Sequence, residues 1–206
     1  MKKTISLFSV AAVAALVITA FRPVDITPIA TGTAMPMADK AMKDVVSGKD
    51  VTLAGEKGAT GTLVIFSCNT CPYVIANESR ISDAIRTAKR LKFGVVIVNS
   101  NEAKRADEDS EAAMAKYAKD QKYNCAYTID VNSAMADAFG ATRTPECFLF
   151  DKDSKLVYHG AIDDSPKDAK AAKVNYLNNA MFSLQKGEAV STPTTVSVGC
   201  TIKRKA

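Results

Sequence analysis

Two of the five cysteines in this 206-residue chain, Cys68 and Cys71, stand two residues apart in the stretch FSCNTCPYV, Phe66 to Val74. Such a pair fits a redox dithiol, half of a metal site, a peroxidase centre or a structural cross-link. The flanking residues separate these readings. An apolar β-branched run, TLVIFS, leads into the pair, and Pro72 follows Cys71 where a helix would begin; proline suits a first helical turn because its missing N–H has no partner there. A helix N-terminus exposes unpaired N–H groups and a partial positive charge, which favour thiolate over thiol. The thiolate is the nucleophile in disulfide exchange. Two intervening residues let the second sulfur reach the first, whereas structural disulfides more often close longer loops. The spacing therefore points to redox chemistry, with Cys68, expected nearer the solvent, attacking and Cys71 resolving.

A second signal lies in GATRTPECFLF. Pro145, placed between a helix and a strand, is a natural site for a cis peptide bond. Such a bond would turn the backbone of Thr144 outward and leave its N–H and C=O free to pair with an extended substrate beside the sulfurs. An ordinary strand-start proline is the competing reading. Arg143 is an auxiliary candidate for steadying a thiolate, against a plainly solvated side chain. Glu146 is expected as a surface carboxylate, with the role of a buried proton acceptor as its alternative. Cys125 and Cys147 read as buried core thiols. Cys200, after Gly199 in the tail, is either a third thiol folded back beside the pair or a free or Cys125-linked one; an odd cysteine count in an oxidising compartment calls for a partner or protection. His159, in LVYHGAI, reads as a sheet histidine with a satisfied ring. The sharper alternative is a copper site that joins it to the two cysteines.

The elements that must position these residues can be read along the chain. AMKDVVSGKDVTL gives a hairpin about Ser47-Gly48-Lys49. TLVIFS and FGVVIVNS read as strands buried on both faces. A helix from Cys71 to Leu91 lies between them. The charged segment NEAKRADEDSEAAMAKYAKDQK gives a loop and then an exposed helix over about 109–121, its charges a wet face with i,i+4 pairs. CAYTID is a third strand, and NSAMADAFG a short helix closed by Gly140. CFLFD and LVYHGAI are strands joined by a turn, a last helix spans about 167–186, and the tail adds an edge strand. Alternating strands and helices followed by an antiparallel pair describe an α/β fold, a mixed central sheet flanked by helices with an N-terminal β-hairpin.

Lys2-Lys3, the uncharged run Ile5 to Ala20 and the small residues before Arg22-Pro23 form a secretory signal pattern over 1–20. About 16 apolar residues fall short of the roughly 20 needed to span a bilayer, so no stable membrane insertion is expected after cleavage. Residues 21–37, with Pro23, Pro28 and Pro36, read as a linker, and 38–206 as one domain. The expected location is periplasmic or secreted, where disulfides persist. The formal net charge is +5, but Lys2, Lys3, Lys203, Arg204 and Lys205 belong to the leader and tail. The folded part is near neutral, which gives nucleic-acid binding little support.

The motifs CNTCPYV, VNSNEAKRADEDS, DAFGATRTPECFLFDKDSKLVYHGAIDD and VGCTIK resemble the thioredoxin-like superfamily, and within it the peroxiredoxin-like proteins of the redoxin, or alkyl hydroperoxide reductase/thiol-specific antioxidant, type. The likeness covers about residues 38–203. It implies a thioredoxin-like fold, Cys68 and Cys71 as the redox pair, and Pro145 as the cis-proline. It implies no organic or metal cofactor, and a protein dithiol or disulfide as partner or electron donor. Peroxiredoxins proper carry a Pro-x-x-x-Thr-x-x-Cys loop; counting back from Cys68 finds Ile65 and Gly61, and from Cys71 finds Cys68 and Val64, so neither register matches. TLVIFS also lacks the buried acid of thioredoxin itself. The expected function is thiol–disulfide oxidoreduction, with a thiol peroxidase and a copper-binding chaperone as alternatives.

Overall fold

The computed structural model describes residues 26–205; the proposed leader over 1–20 lies outside them. Residues within the expected linker are docked on the domain. Ile29 N–H donates to Phe139 O, Gly32 N–H to Leu156 O and Met35 N–H to Ser154 O, and Met35 is buried. A segment without apolar periodicity can still be held by backbone pairing, which sequence periodicity does not report.

The hairpin forms as expected, β1 (Met42–Lys43) antiparallel to β2 (Asp50–Val51). It leads into β3 (Gly61–Phe66), α1 (Pro72–Arg90) and β4 (Phe93–Asn99). Then come α2 (Glu111–Asp120), β5 (Ala126–Ile129), α3 (Ala134–Phe139), β6 (Arg143–Thr144), β7 (Glu146–Asp151) and β8 (Leu156–Gly160). α4 (Tyr176–Lys186) and β9 (Cys200–Thr201) complete the order. The central sheet runs β5-β4-β3-β7-β8. β3, β4 and β5 are parallel, and β7 and β8 are antiparallel to their neighbours. This is the thioredoxin-like mixed sheet.

β3 shows why its run is uninterrupted: Leu63 and Ile65 face the core under α1 and α4, while Val64 and Phe66 face the core under α3. Each such side chain removed from water contributes about 1.5–3 kcal/mol. On the α3 side, Phe66, Phe139 and Phe148 pack edge-to-face with centroids 5.2–5.5 Å apart. α3 ends as expected at Gly140, left-handed with φ +68°. The last helix is shorter than expected. The Asp164 carboxylate accepts the N–H groups of Lys173 and Val174 and holds that stretch out of a helix, and Asn175 caps the start by accepting from Asn178 N–H. Among the described residues, no helix is long and apolar enough to cross a membrane.

Candidate active site

Strand β3 ends at Phe66, and the turn Ser67–Thr70 carries Cys68 to the mouth of α1, whose N-cap is Cys71 and whose first residue is Pro72. The turn is pinned from behind. Asn69 N–H donates to Asp109 Oδ1 at 3.0 Å, its amide donates to Glu108 O, and its own oxygen accepts from Tyr127 O–H at 2.8 Å. Asp109 is fully buried and also accepts from the amides of Asn99 and Asn101. Part of the segment expected as a wet charged face is therefore the floor of the site. Its exposed members do form the expected i,i+4 pairs, Lys104–Glu108 and Lys116–Asp120. Asp109 and Asn99 were missed because a charged, non-periodic stretch carries no burial signal; only the cluster Asn99, Asn101 and Asp109 beside a buried strand hinted at one.

Across from the cysteines, Thr144–Pro145 is a cis peptide. The Thr144 hydroxyl lies 3.5 Å from Cys68 Sγ, and the Thr144 carbonyl accepts from the protonated Cys71 thiol at 3.2 Å. Both sulfurs thus meet one residue. The turn is held by Glu146, whose Oε2 accepts the N–H groups of Thr142 and Arg143 at 2.8 Å each, while Oε1 lies 2.6 Å from His159 Nε2. Glu146 is buried, contrary to the surface position expected for it. Charged side chains go inside when every lone pair finds a donor, and a lone glutamate in sequence gives no sign of that. The same contact satisfies the ring of His159, as expected. Among the described residues, no group of three or more His, Cys, Asp or Glu is placed to hold a metal ion.

Two expectations about the cysteines change. Cys68 is not nearer the solvent: it is 2% exposed and Cys71 4%, so access does not separate them, and charge does. The Cys71 thiol is pulled down to about 4, first by the hydrogen bond from Cys68, against the cost of burial, with Cys200, the Val74 amide in the open first turn of α1, and Thr144 assisting. Cys68 is pushed up by its bond to that same charge, by burial and by the nearby Asp109 carboxylate. These neighbours make Cys71 the more readily ionised thiol of the pair and Cys68 the less. Nor is the backbone of Thr144 free: β9 pairs antiparallel with β6, Thr144 opposite Cys200 and Arg143 opposite Thr201. The expected edge strand of the tail is real, and it lies on the turn. The exposed Arg143 side chain donates to Thr201 Oγ1 at 2.8 Å.

Cys200 is half-buried beside the pair and shares a cleft of about 170 Å³ with Cys68, Cys71, Asn101, Lys104 and Lys203. Cys125 and Cys147 lie apart from it, inside the core, as expected; burial pushes the Cys125 thiol up to about 12 and raises Cys147 further.

The fold and these motifs define a thioredoxin-like protein, and comparison with known sequences narrows the class. Residues 30–175 match the profile of the Redoxin family, and the chain belongs to that family. A hypothetical protein from Sinorhizobium meliloti 1021 is similar at 31% identity, with a TM-score of 0.79 over 87% of this chain and 97% of that one. An uncharacterized conserved protein from Geobacillus kaustophilus is also 31% identical, with a TM-score of 0.76 over 85% and 93%. The thioredoxin domain of a thiol-disulfide oxidoreductase from Bacteroides vulgatus shares the fold at 19% identity, with a TM-score of 0.51 over 64% and 88%. Two peroxiredoxins share it at lower identity, 13% and 10%, but with higher TM-scores of 0.56 and 0.57 over 76% and 78% of this chain. No protein of curated function matches the chain.

Proposed function

We propose that this chain is an exported thiol–disulfide oxidoreductase working through Cys68 and Cys71, with Thr144–Pro145 beside them. The carrying observation is the convergence of both sulfurs on Thr144, at 3.5 Å from its hydroxyl and 3.2 Å from its carbonyl oxygen. The order of attack differs from the one read from sequence. Cys71, the thiol its neighbours make easier to ionise, loses its proton, attacks a substrate disulfide and displaces one substrate thiolate. A second thiol of the site then loses its proton and attacks the Cys71 sulfur. The second substrate thiolate leaves, and the chain keeps a disulfide in exchange for two electrons. Cys68, which meets the same Thr144, is the resolving partner at the end of that sequence.

The site needs no organic cofactor for this, because sulfur carries the electrons; a partner dithiol protein would restore them. The fold shared with the Bacteroides vulgatus oxidoreductase and with a putative DsbE-type thiol:disulfide interchange protein of Chlorobium tepidum is consistent with it. The secretory pattern of residues 1–20 supports the periplasm or cell exterior, where a dithiol can cycle through its disulfide.

The test is a redox titration with thiol labelling and mass spectrometry. Cys68 and Cys71 should pass together between free and linked states at one potential. If they stay unlinked at every buffer poise, the oxidoreductase reading is lost.

A further inference from the structure

The edge that an extended substrate would use is already occupied by this chain's own tail. β9 lies antiparallel on β6, with Cys200 opposite Thr144, and Ile202 N–H donates to Thr142 O at 3.0 Å to continue the pairing. The approach is close enough to require glycine: a Cβ on Gly199 would stand 2.1 Å from the Thr144 carbonyl oxygen and 2.7 Å from its carbon. Ile202 anchors the strand in the core, and Lys203 N–H donates to Asn101 Oδ1 on the floor of the site at 2.8 Å. The strand brings a third sulfur, that of Cys200, to the cleft that Cys68 and Cys71 also line.

We infer that the C-terminal strand is a resident substrate of the site and that Cys200 is its third redox thiol, the first to resolve whatever disulfide Cys71 forms. This rests on the dithiol reading above and extends it. The chemistry balances in three steps. The Cys71 thiolate attacks a disulfide RSSR, forming Cys71–S–S–R and releasing RS⁻. Cys200, its proton passed to solvent, attacks the Cys71 sulfur, forming Cys71–Cys200 and releasing the second RS⁻. Cys68, deprotonated in turn, attacks Cys71, leaving Cys68–Cys71 linked and Cys200 a thiol again. Two electrons reach the substrate, and the final disulfide waits for a reductant dithiol.

Cys200 precedes Cys68 for a physical reason. The charge on Cys71 helps hold both neighbours protonated, and it vanishes once Cys71 is bonded to substrate. What remains around Cys68 is burial and the Asp109 carboxylate, both opposed to a second thiolate. What remains around Cys200 is partial burial, offset by the Tyr73 amide and by Lys203. The occupied edge also sets the substrate class. A protein strand cannot pair with Thr144 unless the tail leaves, so the site favours small disulfides whose S–S bond can enter the cleft of about 170 Å³ while the rest stays outside.

The experiment treats the reduced full-length chain with one equivalent of oxidised glutathione, then maps linkages by non-reducing digestion and mass spectrometry. In Cys68→Ser the last step is blocked, and Cys71–Cys200 should accumulate as the main species. A lasting glutathione adduct on Cys71 with Cys200 free would overturn the inference. In Gly199→Ala, with the fold verified by circular dichroism, the Cys71–Cys200 link should form at least tenfold more slowly while Cys68–Cys71 still forms; an unchanged rate would equally overturn it. A wild-type chain that links Cys68–Cys71 normally, but through no Cys200 species in rapid-quench samples, defeats this inference alone. Failure of the pair to link at all defeats the dithiol reading instead.

Discussion

Cys71 Sγ and the Thr144 carbonyl oxygen lie 3.2 Å apart, bringing the first turn of α1 against the turn that precedes β7. The contact suits the thiol. When Cys71 ionises, its support is the S–H of Cys68 and of Cys200, the Val74 amide and the Thr144 hydroxyl. Because these donors pull the Cys71 thiol well below the ordinary thiol range, its thiolate fraction is expected to be high already near neutrality. Alkylation of Cys71 in the reduced chain by iodoacetamide, followed by mass spectrometry, should therefore level off by about pH 6 instead of climbing toward the ordinary thiol range near 8.5. The same depressed value means that this group's contribution to reduced-state stability grows as pH rises above about 4 and is lost as pH falls through it. Cys68→Ala removes the strongest donor and should move the alkylation profile to higher pH. A profile still rising at pH 8 in the parent chain would contradict the charge assignment.

Asp109 holds the cysteine turn through a chain of bonds that contains no cysteine. It accepts from Asn69 N–H and from the amides of Asn99 and Asn101, all buried. Asp109→Ala leaves these donors without an acceptor, and a stranded buried donor costs about 1–3 kcal/mol. Partial relaxation and water entry should bring the net loss to about 3 kcal/mol, read by urea denaturation of the reduced protein. Disulfide exchange should slow as well, because Asn69 no longer fixes the turn. Asp109→Asn keeps one acceptor oxygen and should lose less of both.

The sheet, the cysteine turn and the cis-proline turn were legible because each carries a local signature. Runs such as TLVIFS are apolar on both faces, Pro72 marks a helix start, and Thr144-Pro145 lies between a helix and a strand. What escaped was tertiary. Glu146 and Asp109 look like surface acids, since nothing local announces the donors that surround them once folded. The tail at Cys200–Thr201 was legible as a strand, but not as the strand occupying Thr144, because pairing between segments more than 50 residues apart leaves no local trace. The premature end of the expected long helix has the same origin: the Asp164 carboxylate competes for the amides of Lys173 and Val174 where propensity alone favours a helix.

Glu146 is a positioning residue, and its substitution separates structure from chemistry. Glu146→Gln retains an acceptor for Thr142 and Arg143 N–H, and its amide can face His159 as a donor to a neutral ring. It should cost about 1 kcal/mol and leave exchange largely intact. Glu146→Ala strands two backbone N–H groups and the imidazole, so a loss of about 3 kcal/mol is expected by denaturant titration. It should also slow disulfide exchange as Thr144 shifts away from the sulfurs. Equal exchange rates in the two variants would show that the turn does not depend on this carboxylate.

Far along α1, Arg80 meets Asp163 at 2.8 Å with both side chains buried, and the guanidinium also donates to Ser165 O and Ala76 O. The pair ties α1 to the loop after β8, whose Pro166 carbonyl accepts from the Asn77 amide nearer the cysteines. Two charges taken from water gain little net stability over a well-packed apolar pair, but removing one partner strands the other. Arg80→Met should therefore cost about 3–5 kcal/mol, and Asp163→Leu a similar amount. The double variant should recover much of that loss instead of doubling it, giving a coupling of at least about 2 kcal/mol in a denaturation cycle. Strict additivity would mean that the two charges are solvated independently and that α1 is held by its apolar face alone. Alkylation of Cys71, 9 residues toward the helix start, should change little in any of the three, since the neighbours of that sulfur are Cys68, Cys200, the Val74 amide and Thr144, none of which bonds to Arg80 or Asp163.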